Sequence, residues 1–159
     1  MLFSEDHYKF MYAALAEAQK AFDEDEIPIG AVVTYKNQII GKGYNQVEKL
    51  KDATAHAEII AITAASNRLS SKYLNECDIY ISLEPCVMCA GAILLSRLSN
   101  VYFASFETKF GAAGSLYNLL EDNKYNHKPN VYSGLYEQES QLLMSEFFKK
   151  TREKNKSVL

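Results

Sequence analysis

Residues 79–103 read Ile79-Tyr80-Ile81-Ser82-Leu83-Glu84-Pro85-Cys86-Val87-Met88-Cys89-Ala90-Gly91-Ala92-Ile93-Leu94-Leu95-Ser96-Arg97-Leu98-Ser99-Asn100-Val101-Tyr102-Phe103. Ile79 to Ser82 is a β-rich run, 86–97 is an apolar helical stretch, and Val101-Tyr102-Phe103 is a second β-rich run. Pro85 suits the first turn of that helix, where a missing N–H costs nothing. Strand, helix, strand in this order predicts a parallel pair joined by a right-handed crossover. The unit therefore belongs in an α/β sheet, and a Cys-x-x-Cys opens its helix.

Working outward, Tyr8, Met11, Tyr12, Leu15, Ala18 and Phe22 recur at helical spacing, and Glu5 and Asp6 suit the positive end of that helix. Residues 29–35 and 38–44 are β-rich runs separated by Lys36-Asn37, which reads as a hairpin. A helix is expected over about 55–67, with Asp52-Ala53-Thr54 as capping residues ahead of it. Beyond the central unit we expect a short helix after Ser115, a short strand near 131–133 and a terminal helix over about 136–153. The sum is a mixed five-stranded sheet with helices on both faces. At 159 residues and 48% hydrophobic, the chain suits a single core, and residues 1–159 are expected to form one domain.

The Cys-x-x-Cys has a partner in His56-Ala57-Glu58. One imidazole and two thiolates, from His56, Cys86 and Cys89, suit tetrahedral Zn²⁺ and leave its fourth position for water. Taken alone, His56 reads as a packed core histidine, and Cys86-x-x-Cys89 as a redox motif or half a structural zinc site. Together they read differently. A structural site wants four protein ligands, and Cys77, His7 and His127 do not stand at the required short spacing. Glu58 is not needed as a ligand and is free to act as general acid and base. Both ligand groups are expected at helix N-termini, whose partial positive charge favours thiolates.

Four segments carry a resemblance: Gly43-Tyr44-Asn45, Thr54-Ala55-His56-Ala57-Glu58, Leu83-Glu84-Pro85-Cys86-Val87-Met88-Cys89-Ala90-Gly91-Ala92, and Lys109-Phe110-Gly111-Ala112-Ala113-Gly114-Ser115-Leu116. From about Tyr8 to Arg152 the chain resembles the bacterial tRNA-specific adenosine deaminases (TadA) of the cytidine/deoxycytidylate deaminase superfamily. The resemblance implies a three-layer α/β/α cytidine-deaminase-like fold, one Zn²⁺ per subunit, and Glu58 as the proton carrier. It implies hydrolytic deamination of the wobble adenosine in a tRNA anticodon loop, giving inosine. Asn45 and the Ala57 main-chain N–H are implied to orient the nucleotide. Glu107 stands where the family usually has Asp, keeping the carboxylate one methylene longer. The zinc half is shared by all deaminases of the superfamily, so a free nucleobase or nucleoside deaminase, of guanine or cytosine type, is the alternative. A zinc-stabilised binding module has no use for Glu58.

Composition adds partners. The net charge is −3 and no basic stripe is present, but residues 1–30 carry seven acidic and two basic groups while 141–159 carry five basic and two acidic. The anticodon stem-loop that the resemblance implies is expected to meet the C-terminal end, where Phe147 and Phe148 precede Lys149, Lys150 and Arg152 and Phe148 offers a stacking surface beside phosphate-binding charges; the alternative reading of this segment is a solvated helix face with the two Phe packed on the core. The 86–97 helix is apolar around more than one stripe, which, with the family's habit, points to a homodimer. No apolar run nears the ~20 residues of a membrane span, and Ser4-Glu5-Asp6-His7-Tyr8 does not read as a leader, so a cytoplasmic location without membrane contact is expected. Of three cysteines, Cys77 alone is unassigned to metal and is expected as a small buried apolar residue at a strand start.

Overall fold

In a computed structural model, residues 2–158 are described. The chain runs α1 (Glu5–Asp23), β1 (Gly30–Tyr35), β2 (Gln38–Tyr44), α2 (Val47–Leu50), α3 (Ala57–Leu69), β3 (Cys77–Leu83), α4 (Val87–Ser96), β4 (Asn100–Ser105), β5 (Asn130–Ser133) and α5 (Glu137–Lys156). The strands form one sheet in the order β2-β1-β3-β4-β5. β1 pairs antiparallel with β2 and with β3, whereas β3–β4 and β4–β5 are parallel. The expected mixed five-stranded sheet is present, and its parallel β3–β4 pair is the one read from residues 79–103.

Period-two alternation splits the strand side chains into two layers. Ala31, Val33, Ile79, Ile81, Val101 and Phe103 meet Ala57, Ala61 and Ala65 of α3 and Ala90 and Ile93 of α4. Val32, Tyr80, Tyr102 and Ala104 face the other way, onto Phe10, Met11 and Ala14 of α1. Helices thus cover both faces of the sheet. On the second face Tyr80, Tyr102 and Tyr132 form a ladder across β3, β4 and β5, with ring centroids 4.6 and 4.9 Å apart. The α1 start is closed by a capping box in which the His7 N–H donates to Ser4 Oγ and the Ser4 N–H donates to His7 Nδ1.

The β1–β2 hairpin turns at Lys36 and Asn37, both at positive φ, as a two-residue turn matched to strand twist requires. After it, β2 brings Gly41 and Gly43 against α3. A Cβ at Gly43 would overlap the Ala57 carbonyl, and one at Gly41 the Ala61 carbonyl. With alanines at 57, 61 and 65 on the facing side, the helix backbone rests almost on the strand. This close approach fixes where the N-terminus of α3 ends up.

Several expectations are corrected. No helix follows Ser115: residues 111–129 form turns and isolated bridges, because Gly114 lies at φ 142° and the Ser115 N–H is spent on Glu84. Pro85 precedes α4 instead of entering its first turn, and Cys86 is the N-cap. Asp52 and Thr54 do not cap α3; the Asp52 carboxylate accepts from the Thr54 N–H and Oγ1 in a local turn. His56 is the N-cap. The short α2 was not expected; it forms where the buried Glu26 carboxylate accepts from the Glu48 and Lys49 N–H groups, 22 and 23 residues away. Cys77 does open β3, fully buried, and burial pushes its thiol up to about 11, so it is an unreactive packing residue.

Candidate metal centre

Two helix N-termini meet at the carboxyl end of β3. His56 and Cys86 are extended N-caps of α3 and α4, and neither side chain is spent on capping its own helix. Cys89 lies in the first turn of α4 and is fully buried. His56 Nδ1 is 3.6 Å from Cys86 Sγ and 3.5 Å from Cys89 Sγ, and all three atoms lie within 4.8 Å of one another. Tetrahedral Zn²⁺ with Zn–S of about 2.3 Å and Zn–N of about 2.0–2.1 Å requires an N···S separation of about 3.6 Å. The donor set fits that ion in type and in spacing. It is the one His/Cys/Asp/Glu group able to hold a metal among the described residues.

The protonation chemistry follows from the same geometry. The Cys86 thiol drops to about 4, held there first by a hydrogen bond with Cys89 and then by His56, against desolvation. Cys89 moves the other way, raised by that same bond and by burial. His56 is raised by its hydrogen bond with Cys86. In the three groups alone, proton affinity therefore shifts away from Cys86 and toward Cys89 and His56. A dication compensates the second thiolate and takes the place of the protons.

Glu58, in the first turn of α3, is buried, and desolvation, the largest influence, raises its proton affinity. Cys89 is among the groups that act on it. Asn45, just past β2, is buried; its Nδ2 donates to the Ile27 carbonyl at 3.3 Å, and its Oδ1 has no partner, alone among the buried side-chain polar atoms described. An orphaned buried acceptor of this kind is expected where a ligand supplies the donor. Ala57 is the first residue of α3, so its N–H has no intrahelical acceptor.

The remaining expected residues, Glu107 and Phe148, make no side-chain hydrogen bond to this cluster. Glu107 opens the 105–115 loop, and its carboxylate accepts from the Lys109 N–H at 2.9 Å. Phe148 is on α5, 41% exposed, edge-on to Phe147, which is buried against Phe22. The basic group at that end is partly neutralised: Lys150 and Lys154 both reach Asp25, at 3.1 and 3.4 Å. One residue escaped the sequence reading. Glu84 is buried and accepts four hydrogen bonds from the 105–115 loop. An acid set between the end of β3 and Pro85, two residues before a candidate ligand, was its signal.

Comparison with known proteins agrees with this geometry. Residues 4–105 match the family model of the cytidine and deoxycytidylate deaminase zinc-binding region. The tRNA-specific adenosine deaminase of Aquifex aeolicus is 46% identical over 143 residues, covering 90% of this chain and 94% of that protein. That of Bacillus subtilis is 40% identical over 149 residues, covering 94% and 92%. A solved structure from a study of A-to-I editing by tRNA:A34 deaminases at the wobble position superposes with a TM-score of 0.82 at 41% identity, over 85% of this chain and 98% of that one.

The centre predicts its own pH dependence. Proton binding is strengthened at His56 and Cys89 and weakened at Cys86, whose thiol lies at about 4, so protons at the first two compete with the metal. Zinc must displace one to two of them, so apparent affinity should fall about 10- to 100-fold per unit of decreasing pH. Chelator competition between about pH 8 and 6 measures this, and a flat profile would contradict it. His56→Ala and Cys86→Ala should lose stoichiometric zinc by elemental analysis.

Proposed function

Because the chain belongs to the cytidine and deoxycytidylate deaminase family, alongside the tRNA-specific adenosine deaminases, we propose that it hydrolyses the wobble adenosine of a tRNA anticodon loop to inosine and ammonia. The observation that carries the reading is the His56/Cys86/Cys89 triangle with an unliganding, buried carboxylate two residues from His56. Likeness to tRNA deaminases over nine-tenths of the chain favours this substrate over a free base or nucleoside. We take residues 1–159 as one deaminase domain.

His56, Cys86 and Cys89 would hold Zn²⁺, which would supply a water of lowered pKa. Glu58 takes a proton from the attacking water and delivers it to N1 of adenine as the water oxygen bonds to C6. The same carboxylate then carries the C6 hydroxyl proton to the amino group, the C6–N bond breaks, and ammonia leaves with the carbonyl in place. Both transfers return Glu58 to its starting state. Its raised proton affinity suits a group that must accept and release within one turnover. The unpaired Asn45 Oδ1 and the Ala57 N–H are assigned to orienting the nucleotide. A base reaches such a site only when splayed from its stack, as bases in single-stranded loops are.

We place flanking RNA along Glu107 and its loop and along α5, where Phe148 is exposed and Lys149 and Arg152 carry charge. We also assign a homodimer to the outer face of α4, where Val87 and Leu95 are exposed and Gly91, Leu94, Leu119 and Tyr125 line an open apolar groove of about 450 Å³. Among the described residues no helix is long and apolar enough to cross a membrane; we place the protein in the cytoplasm, with its tRNA.

Glu58→Gln should keep about one zinc per chain and lose about 10²–10⁴-fold in kcat. The assay compares ammonia release from an anticodon stem-loop with a wobble adenosine, from adenosine, and from guanine and cytosine; preferential turnover of guanine or cytosine would refute the tRNA reading.

Replacing Lys149, Lys150 and Arg152 together should raise KM for the stem-loop with little change in kcat. It should also flatten the salt dependence of binding by about 0.7 per lost phosphate contact. Asp25→Asn should do the opposite, since it releases Lys150 and Lys154. Unchanged affinity in both variants would place the RNA elsewhere.

Sedimentation at micromolar concentration should give a species of twice 18.0 kDa, and Leu95→Arg should return it to the single chain. A monomer in the unaltered protein would remove the α4 interface.

A further inference from the structure

We propose that Glu84 is the positioning residue that holds the 105–115 loop against the metal-binding turn and thereby sets affinity for the RNA substrate; the second half rests on the deaminase reading above. Glu84 follows the last residue of β3 and precedes Cys86 by two residues. Only 4% of it is exposed. Its Oε1 accepts from the Glu107 N–H at 3.0 Å and from the Ser115 hydroxyl, and its Oε2 accepts from the Ala113 and Ser115 N–H groups at 2.9 and 3.0 Å.

All four donors belong to one loop, and Glu107 and Ser115 stand near its two ends. A single carboxylate therefore closes the loop, in the manner of an anion within a nest of backbone N–H groups. The neighbouring chain reinforces the placement. The Ala112 N–H donates to the Pro85 carbonyl at 2.8 Å, and Cys86 and Gly111 form an antiparallel bridge. A side chain at Gly111 is excluded, because a Cβ there would overlap the Glu84 carboxyl group. The segment that supplies a zinc ligand and the segment that carries Glu107, Lys109 and Phe110 are thus fastened to each other.

A buried carboxylate is costly unless its lone pairs are filled, and here charge-assisted bonds fill them. Glutamine has the same shape but keeps only one oxygen, and its amide hydrogens would face N–H donors. The loop should loosen while β3, α4 and the ligand triangle stay in place. Glu84 reaches no group of that triangle by hydrogen bond, so its effect is expected on substrate affinity and not on the proton transfers at Glu58.

The test uses the full-length, zinc-loaded chain and its Glu84→Gln and Ser115→Ala variants. Zinc content, amide hydrogen exchange, and kcat and KM on the anticodon stem-loop are read in each. In Glu84→Gln we expect about one zinc per chain and exchange at Glu107, Ala113 and Ser115 at least about tenfold faster. Exchange at Ile79–Ile81 should be unchanged, and KM should rise about tenfold with kcat within about twofold. Ser115→Ala, which removes one donor of four, should shift the same quantities by less, and it carries the test should Glu84→Gln not fold. Unaltered exchange at the three amides would overturn the anchoring. Faster exchange with an unchanged KM, or a loss confined to kcat, would overturn its link to RNA affinity. Failure of the unaltered protein to turn over the stem-loop would sink the substrate reading instead, and the exchange measurement would still decide the anchoring.

Discussion

Three donor atoms must come within about 2.0–2.3 Å of one point for a tetrahedral zinc site to exist, and the architecture is arranged around that requirement. Two of the donors enter on α4 because the β3–α4–β4 crossover sets the start of that helix at the carboxyl end of β3. The third enters on α3, which reaches the same place because glycines of β2 let its alanine face lie on the strand backbone. Both helices present their N-terminal ends, so the fixed dipoles favour the negative charge that thiolates bring. Sheet order, small-residue packing and ligand chemistry are consequences of one geometric demand.

Buried carboxylates do two kinds of work in this protein, and their partners tell them apart. Glu26 accepts two and Glu84 three N–H groups from distant segments, and each fixes the shape of the stretch that donates to it. Glu58 is equally buried, but desolvation dominates its surroundings and leaves it with a raised affinity for protons. A buried carboxylate whose proton affinity is raised by desolvation beside a metal site is suited to exchange protons.

Charge is partitioned along the chain and re-paired in space. The acidic N-terminal part and the basic C-terminal part meet where Asp25 follows α1 and Lys150 and Lys154 project from α5. These pairs are exposed and contribute little to stability, yet they decide which cations remain free at the surface. Lys150 also lies 4.8 Å over the Phe22 ring, which draws it toward α1.

The amino-acid sequence by itself determined what depends on local spacing and residue type. The strand runs, the Lys36-Asn37 hairpin, the parallel β3–β4 unit and the His56, Cys86 and Cys89 donor set were legible because period-two and helical patterns, turn residues and ligand chemistry are short-range signals. The tertiary structure alone decided the rest. The segment after Ser115 reads as helix locally, but a carboxylate 31 residues earlier takes its N–H and hydroxyl and holds it in turns. Pro85 and Thr54 have the composition of helix starts, yet His56 and Cys86 stand at the caps with their side chains directed to each other. The unpaired Asn45 oxygen and the pairing of Lys150 with Asp25 likewise depend on which distant groups arrive nearby. Hydrogen bonds and ion pairs between remote segments leave no periodicity in the chain, so only folding reveals them.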